Sequence, residues 1–285
     1  MVNKLHIISG FKEGRSFLKD TYFTRPFRVV PIRENPLDPS LYVMVMSSSP
    51  GILDGDEYDI EIQVEEKSRM MLQSQAYQRL FNMKSGASQK QYIHLQAGSE
   101  FSYVQHPVVP HENSVFRSHS IIQLEDDCTL TLGEVITCGR KHSGEIFRFT
   151  HLQNLIEIFH HQKMILKDNI LLQPQLVPMD TLGQLEGFTH QATFFYVQTG
   201  QADMDAIAAY LHHLLEQESE IAFGISQASP QYIVVRVLGN GGEQLFNCLK
   251  KMQEYLWAGT ITPINQSANN KDTSPYKNRA KEAIV

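Results

Sequence analysis

The chain has 285 residues and a formal net charge of −6, with 42% hydrophobic and 20% charged residues. This balance is ordinary for a globular protein with a sizeable core, and it argues against a nucleic-acid partner held through phosphate contacts. The three cysteines are odd in number and form no C-x-x-C pair, and no apolar run is long enough to predict a membrane span. We therefore expect a cytoplasmic protein without disulfide bonds.

Alternating polar and apolar residues predict a body of short β-strands between residues 57 and 158. The segment Glu57–Val64, EYDIEIQV, has the period of two that is typical of a strand with one buried face. Gly, Asn, Asp and Ser separate the segments, as in a sandwich, barrel or solenoid of antiparallel strands. No fixed sequence period is visible, so an array of repeats is not indicated. Further strands are predicted at 69–75, 91–96, 100–104, 115–124, 128–137 and 146–159.

The last third of the chain predicts two amphipathic helices. After a strand at 193–199, apolar residues recur at helical spacing over 203–217, with Asp203 as the N-cap. A strand at 232–238 then leads through glycines into a second helix at 243–257. Residues 260–285 are rich in Asn, Lys and Ser and predict a flexible polar tail. We therefore predict one mainly β domain over residues 1–259, which includes both helices.

The acidic segment at 47–59, SSSPGILDGDEYD, could be a phosphate loop, a calcium loop or a tight corner. It lacks the Gly-Lys-Ser/Thr of a phosphate loop, and an EF-hand starting at Asp54 would place an aspartate where glycine is required. A turn is the simpler explanation, since Pro50 sets φ, Gly51 takes a positive φ, and Asp54-Gly55 makes a second reversal. A metal role for Asp56 is the weaker alternative.

The twelve histidines have spacings that argue against a metal site or a zinc hydrolase. His160 and His161 are predicted in a strand, where neighbouring side chains point to opposite faces. His212 and His213 lie about 100° apart on a helix. There is no H-E-x-x-H and no G-x-S-x-G. A dispersed Ser-His-Asp set stays open, because such triads depend on geometry rather than on a local motif.

The segment at 133–147 carries two carboxylates in different settings. Arg140 and Glu145 are placed to pair across a short reversal between Gly139 and Gly144, because arginine offers a planar fork to a carboxylate. We interpret this pair as structural. Glu134 shares its strand face with apolar residues two positions away on either side, so it is predicted to point towards the core. A carboxylate there needs a cation, an arginine or water as its partner.

Five motifs together resemble the urease accessory proteins called UreD or UreH. They match that family in order and spacing across about residues 15–260. The chain departs from the family pattern where Gln105 and His111 flank the proline segment, and where Asp54 precedes Gly55. The motifs are YFTRPF at 22–27, SPGILDGD at 49–56 with Pro50, Gly51 and Gly55, PVVP from Pro107 to Pro110, Glu134 followed by Gly139 and Arg140, and GEIF at 144–147 with Gly144 and Glu145.

The resemblance implies a solenoid-like β body with two helices, and a function without catalysis. It implies a cytoplasmic scaffold that loads nickel into apo-urease together with an accessory protein of UreF type and a GTPase of UreG type, and it allows a dimer of such heterocomplexes. Nickel is proposed to travel through an internal tunnel in this family, without a tightly bound cofactor. Carried over by motif, the acidic positions on that path are Asp56 and Glu134, joined by Asp168.

Loose coordination suits such a carrier, because the ion has to be released. Sparse carboxylates beside a wet channel attract Ni²⁺ and leave much of its water shell in place, whereas closed imidazole or thiolate sites would hold it longer. The alternative is a carbohydrate-binding or ligand-binding β-protein, a common use of all-β folds. Against it, the single tryptophan, Trp257, is predicted at the end of the second helix instead of on a strand face.

Overall fold

The computed structural model describes residues 2–32, 35 and 37–259, and strands dominate it, as predicted. The predicted tail at 260–285 lies outside the described residues, and the assignment of 1–259 to a single domain stays a prediction. The helices are α1 Met204–Glu216 and α2 Gly242–Gly259. The strands are β1 Val2–Lys12, β2 Arg15–Phe23, β3 Phe27–Ile32, β4 Leu41–Ser47, β5 Glu57–Val64, β6 Arg69–Ser74, β7 Gln78–Leu80, β8 Ala87–Leu95, β9 Glu100–Val104, β10 Val108–Pro110, β11 Val115–Leu124, β12 Thr129–Ile136, β13 His151–His160, β14 Lys163–Leu172, β15 His190–Gln198, β16 Ala222–Ser229 and β17 Tyr232–Gly239.

The chain coils back and forth between two sheets that face each other. One sheet has seven strands in the order β14-β13-β11-β8-β5-β1-β2. The other has ten strands, with the main path β16-β17-β15-β12-β9-β6-β4-β3 and with β10 and β7 joined at its side. From β4 to β13, successive long strands alternate between the sheets, so each coil adds one strand to each sheet. This is the solenoid-like sandwich that the resemblance implies.

Parallel pairing of the coils corrects the expectation of antiparallel strands. β5, β8, β11 and β13 run parallel in the seven-stranded sheet, and β4, β6, β9 and β12 do so in the other. Each return passes through the opposite sheet, so these stacked strands keep the same direction, whereas the strands at both ends of each sheet pair antiparallel. Coil length varies, since 31 residues separate Glu57 from its neighbour Ser88 and 29 separate Ser88 from Arg117. This variation hides the period in the sequence.

Most predicted strands are confirmed, but three of them differ in extent, among them β15, which begins at His190 instead of residue 193. β8 begins at Ala87 instead of residue 91, and β13 begins at His151 instead of residue 146. The segment before β13 is a loop, because Phe147 has a φ of 53° and Phe149 is fully buried as an anchor. The four N-terminal strands and the strands β7, β10 and β16 were not predicted from the sequence.

Both predicted helices are confirmed, and they cover the outer face of the ten-stranded sheet. The Asp203 carboxylate caps α1 by accepting a hydrogen bond from the Ala206 N–H at 3.0 Å. Apolar side chains of both helices pack against β15 and β17, so β15 is buried on both faces. Within the described residues, neither helix is long and apolar enough to cross a membrane.

The first predicted corner is confirmed, although Gly51 serves it in a different way. Gly55 has a φ of 79°, the left-handed conformation that a tight reversal requires. Gly51 is not in that region, contrary to expectation. A Cβ atom at Gly51 would lie 2.4 Å from the Arg79 carbonyl oxygen and 2.8 Å from the Phe81 ring. Glycine is therefore needed there because the segment after Pro50 closely approaches β7 and the residue after it.

We predict that Gly51→Ala lowers the free energy of unfolding by about 1–3 kcal/mol, because the added methyl group overlaps the backbone of a neighbouring segment. Gly224→Ala is the matched control, since no atom lies within 4 Å of its Cβ position. Chemical denaturation of both variants measures the difference. Equal stability of the two variants would contradict the close-approach explanation.

Candidate functional site

A polar seam crosses the interior between the sheets and separates two apolar clusters. Parallel register brings inward-facing polar side chains of β5, β8, β11 and β13 into rows on the seven-stranded sheet, and the antiparallel pair of β13 with β14 adds Asp168. A shorter polar row faces them from the ten-stranded sheet. Such rows are unusual in an interior, where polar groups cost free energy unless they are hydrogen-bonded. The seam consists of Tyr58, Gln89, Gln91, Ser118, Ser120, Asn154 and Asp168 on the first sheet and Gln105, Glu134, Thr193 and Arg236 on the second.

Glu134 lies at the centre of this seam. Its strand neighbour Leu132 belongs to one apolar cluster and Ile136 to the other, so the predicted inward orientation of Glu134 is confirmed. Its carboxylate accepts hydrogen bonds from the side-chain amides of Asn154 and Gln105, the latter at 3.4 Å. Neutral amides therefore occupy the place for which the sequence predicted a cation, an arginine or water.

Burial makes the Glu134 carboxyl group difficult to ionise. Removal from water raises its pKa to about 7, and the negative charge of Asp168 acts in the same direction. The Asn154 hydrogen bond and the Arg236 charge oppose this shift. The surface that Glu134 exposes faces small interior cavities. Near neutral pH the group therefore exchanges readily between acid and carboxylate, and a cation beside it would favour the carboxylate.

Asp168 lies where the seam reaches a surface cleft of about 510 Å³. Its Oδ1 pairs with the Arg236 guanidinium group, which also donates a hydrogen bond to Thr193 Oγ1 at 2.5 Å. Its Oδ2 is buried and has no hydrogen-bond partner among the described residues. On β14, Asp168 is paired with Ile156, which lines a cavity beside Glu134. The two predicted acidic positions therefore belong to one continuous polar zone.

Cavities follow the seam and become narrow at Glu134. A cavity of about 370 Å³ is lined by Gln89, Gln91 and Gln105, and it extends to Tyr77 near the first corner. Glu134 lines two further cavities of about 20 and 10 Å³. Gln105 lines both of them as well as the large cavity. Each of the two small cavities is about the size of one water molecule. An ion with a complete water shell could not pass this point without side-chain movement.

Asp56 lies at the corner and reaches the seam through Tyr58. Its Oδ2 accepts hydrogen bonds from the Leu53 N–H at 2.8 Å and the Tyr58 hydroxyl at 3.1 Å. Asp54 accepts two backbone N–H groups from the facing loop. The interpretation of this segment as a structural turn is therefore confirmed. The structure brings Glu134 and Asp168 into one zone but leaves Asp56 at its border.

The other motif residues build a second corner beside the seam. The Arg140 guanidinium group binds Glu145, with Nε 2.9 Å from Oε2, so the predicted ion pair is confirmed. Gly139 has a φ of 116°, and a Cβ there would lie 2.8 Å from the Glu145 carbonyl oxygen and 2.9 Å from that of Pro110. Gly144, with a φ of 79°, ends a short 3₁₀ turn.

Pro107 directly precedes the short strand β10 and Pro110 ends it, and this strand lies between β7 and β12. The Pro107 carbonyl oxygen accepts a hydrogen bond from the Gln78 N–H at 3.0 Å, and β10 continues in parallel beside β7 as far as Pro110. Gln78 in turn donates to Gln89 of the seam at 3.4 Å. The proline segment therefore supports one wall of the large cavity.

A family model described as UreD urease accessory protein matches residues 3–267 of this chain. The chain belongs to the UreD family. Urease accessory protein UreD of Flavobacterium johnsoniae is 58% identical over 257 residues, which cover 90% of this chain and 93% of that protein. The UreD of Acetivibrio thermocellus is 32% identical, covering 90% and 97%. Urease accessory protein UreH of Helicobacter pylori is 25% identical, covering 85% and 90%.

Most of the seam of this UreD-family chain was not predicted from its sequence. Ser118 and Ser120 carried a usable signal, because they occupy the same strand phase as the buried Phe116 and Ile122. A polar residue that falls on the same side of a strand as buried apolar residues indicates a polar side chain in the interior. Arg236 carried no such signal, since an exposed arginine on a strand is common.

We predict that Glu134→Gln changes how stability depends on pH. In the wild type, the folded-state pKa of about 7 lies above the ordinary value of 4.5, so the unfolding free energy decreases as pH rises from 4.5 towards 7. Glutamine does not ionise and removes this loss. Between pH 4.5 and pH 8, the free energy of unfolding of the variant should therefore rise relative to wild type by on the order of 3 kcal/mol. Denaturant titrations at both values measure the gain, and parallel pH profiles would exclude a raised pKa.

Proposed function

We propose that this chain is a non-enzymatic chaperone of urease maturation that passes nickel ions along its polar seam. Membership in a family of urease accessory proteins supports the role in maturation. The observation that carries the nickel path is Glu134, an interior carboxylate set among amides and hydroxyls with cavities on both sides. The seam contains neither a complete set of metal ligands nor a catalytic motif, which favours passage of the ion over metal storage or catalysis.

The seam offers the ion oxygen ligands that release it again. Gln89 and Gln91 supply neutral oxygens along the wide part, and Ser120, which lines one of the small cavities, is hydrogen-bonded to Gln91 at 3.2 Å. At the narrow part, the oxygens of Glu134 and Asn154 replace water molecules that cannot enter with the ion. Carboxylate, carbonyl and water ligands suit Ni²⁺ less well than imidazole. The ion is therefore attracted but not retained.

The acidic groups attract the nickel ion at successive points along this path. Asp168 follows Glu134 on the way to the cleft, and its unpartnered Oδ2 offers a ligand atom that Arg236 leaves free. Asp56 stands at the opposite side and acts through Tyr58. When the ion arrives, Glu134 loses its proton, because a neighbouring cation stabilises the carboxylate. The negative charge of the carboxylate then compensates part of the positive charge of the buried ion.

The proposed partners are a UreF-type accessory protein, a UreG-type GTPase and apo-urease, in a cytoplasmic complex that allows a dimer of heterocomplexes. No nucleic acid and no membrane take part. The competing function, a carbohydrate-binding or ligand-binding β-protein, receives little support from the aromatic residues. Trp257 is buried, with Arg69 3.7 Å above its ring, so its ring offers no open face for a sugar.

We predict that Glu134→Leu lowers urease activation on the order of ten-fold in cells at limiting nickel, because the narrow part loses its ligand oxygens. Glu134→Gln should cause a smaller loss, since its amide oxygen remains. Glu61→Gln, on the exposed face of β5, is the control and should activate normally. The measured quantity is urease activity per amount of urease protein.

Copurification of each variant with the UreF-type and UreG-type proteins distinguishes a blocked path from a broken complex. Both Glu134 variants should recover these partners as wild type does. Asp56→Ala tests the border position, with its unfolding free energy measured in parallel because the carboxylate also holds the turn. Normal activation by Glu134→Leu and Asp56→Ala together would refute the acidic path, and recovery of the wild-type chain without partners would refute the scaffold.

A further inference from the structure

Two adjacent turns bring a carboxylate and two imidazoles together outside the seam. Asp126 lies in the turn between β11 and β12, His160 ends β13, and His161 begins the turn to β14. The Nε2 atoms of His160 and His161 lie 3.1 and 3.0 Å from the same Oδ1 atom of Asp126. This arrangement overturns the expectation that the two histidines point to opposite faces. His161 has a φ of 53°, so the strand ends at His160 and the two rings stack, with centroids 4.6 Å apart.

We propose that this histidine cluster (Asp126, His160 and His161) binds one divalent transition-metal ion of the imidazole-preferring class that includes Ni²⁺ and Zn²⁺. The three ligand atoms all lie within 4.8 Å of one another. Two ligand atoms that are each about 2.1 Å from an ion are separated by about 3.0 Å at a right angle and about 3.4 Å at the tetrahedral angle. The observed Nε2–Oδ1 separations already match the first value.

The surrounding backbone holds the cluster in place before any ion arrives. The His161 N–H donates to the Leu124 carbonyl oxygen at 2.9 Å, and the Asp126 carbonyl oxygen accepts from the Gly98 N–H at 2.9 Å. Both turns are therefore tied to neighbouring coils. Pre-positioned ligands lose less conformational freedom on binding, which favours affinity.

Gln231 provides the outer contact that a histidine ligand requires. Its Nε2 lies 3.5 Å from Nδ1 of His160. Rotation of this amide by half a turn presents its oxygen instead, which accepts the Nδ1–H of a histidine whose Nε2 carries the ion. Metal-bound histidines almost always donate their other ring N–H in this way, and the contact fixes the ring orientation.

The open side of the cluster favours an ion that exchanges with solvent. The side chains of Asp126 and His161 are 68% and 57% exposed, whereas that of His160 is 20% exposed. Three protein ligands leave further coordination positions for water or for a ligand from another molecule. The cluster differs from the oxygen-lined seam in its nitrogen ligands, and its binding of metal does not depend on the proposed passage.

Calorimetric titration of the purified full chain with NiCl₂ tests the site. We expect saturable binding that weakens at least about ten-fold in His161→Ala and in Asp126→Asn. The matched control is His212→Ala/His213→Ala, which removes the other adjacent pair, on α1, and should leave this binding unchanged. Electron paramagnetic resonance with Cu²⁺ as a second probe should detect two imidazole nitrogens in wild type and one in His161→Ala.

A purely structural cluster gives a different result. If the three groups serve only to join the two turns, His161→Ala lowers the melting temperature while the Ni²⁺ isotherm stays that of wild type, and the proposal is wrong. Absence of saturable Ni²⁺ binding by wild type overturns it as well. His161→Gln keeps a polar side chain at this exposed position, so it separates ligand loss from unfolding if the alanine variant is unstable.

Discussion

Parallel register between successive coils is the constraint on which the interior of this molecule depends. Because Gln89, Ser118 and Asn154 lie side by side on neighbouring strands, a single inward polar residue in each coil is enough to form a continuous row. The apolar rows beside it keep that register, since a slip of one residue would turn every side chain to the other face. The seam is therefore a product of strand stacking, and no local segment contains it.

The free-energy balance of the seam explains why it can exchange ligands. Buried amides and hydroxyls that bond to one another recover most of what they lose on leaving water, so the row persists without a bound ion. Glu134 is the exception, because neutral amide partners do not compensate a full negative charge. Its raised pKa means that a proton and a cation compete for the same carboxylate. The histidine cluster has the opposite character, with nitrogen ligands and open exposure.

Local patterns predicted both helices and most central strands, and non-local pairing decided the site. Alternation placed Glu134 on the inward face, and capping chemistry located α1 behind Asp203. Local sequence patterns do not show which strands pair with each other. The parallel stacking and the contact between Arg236 and Asp168, which lie 68 positions apart, could therefore not be predicted. His160 and His161 show the same limit, because a strand boundary that shifts by one residue reverses the relation between adjacent side chains.

The end of α2 ties the C-terminal side of the described chain to its early coils. The Trp257 indole N–H donates to the Tyr42 hydroxyl on β4 at 2.9 Å, and Arg69 at the start of β6 covers the same ring. The helix also crosses β9 and β12, so it braces several coils against sliding past one another. A molecule that pulled on the end of this helix would transmit the load to β4 and β6, more than 180 residues earlier in the chain, without first unwinding the coils between them.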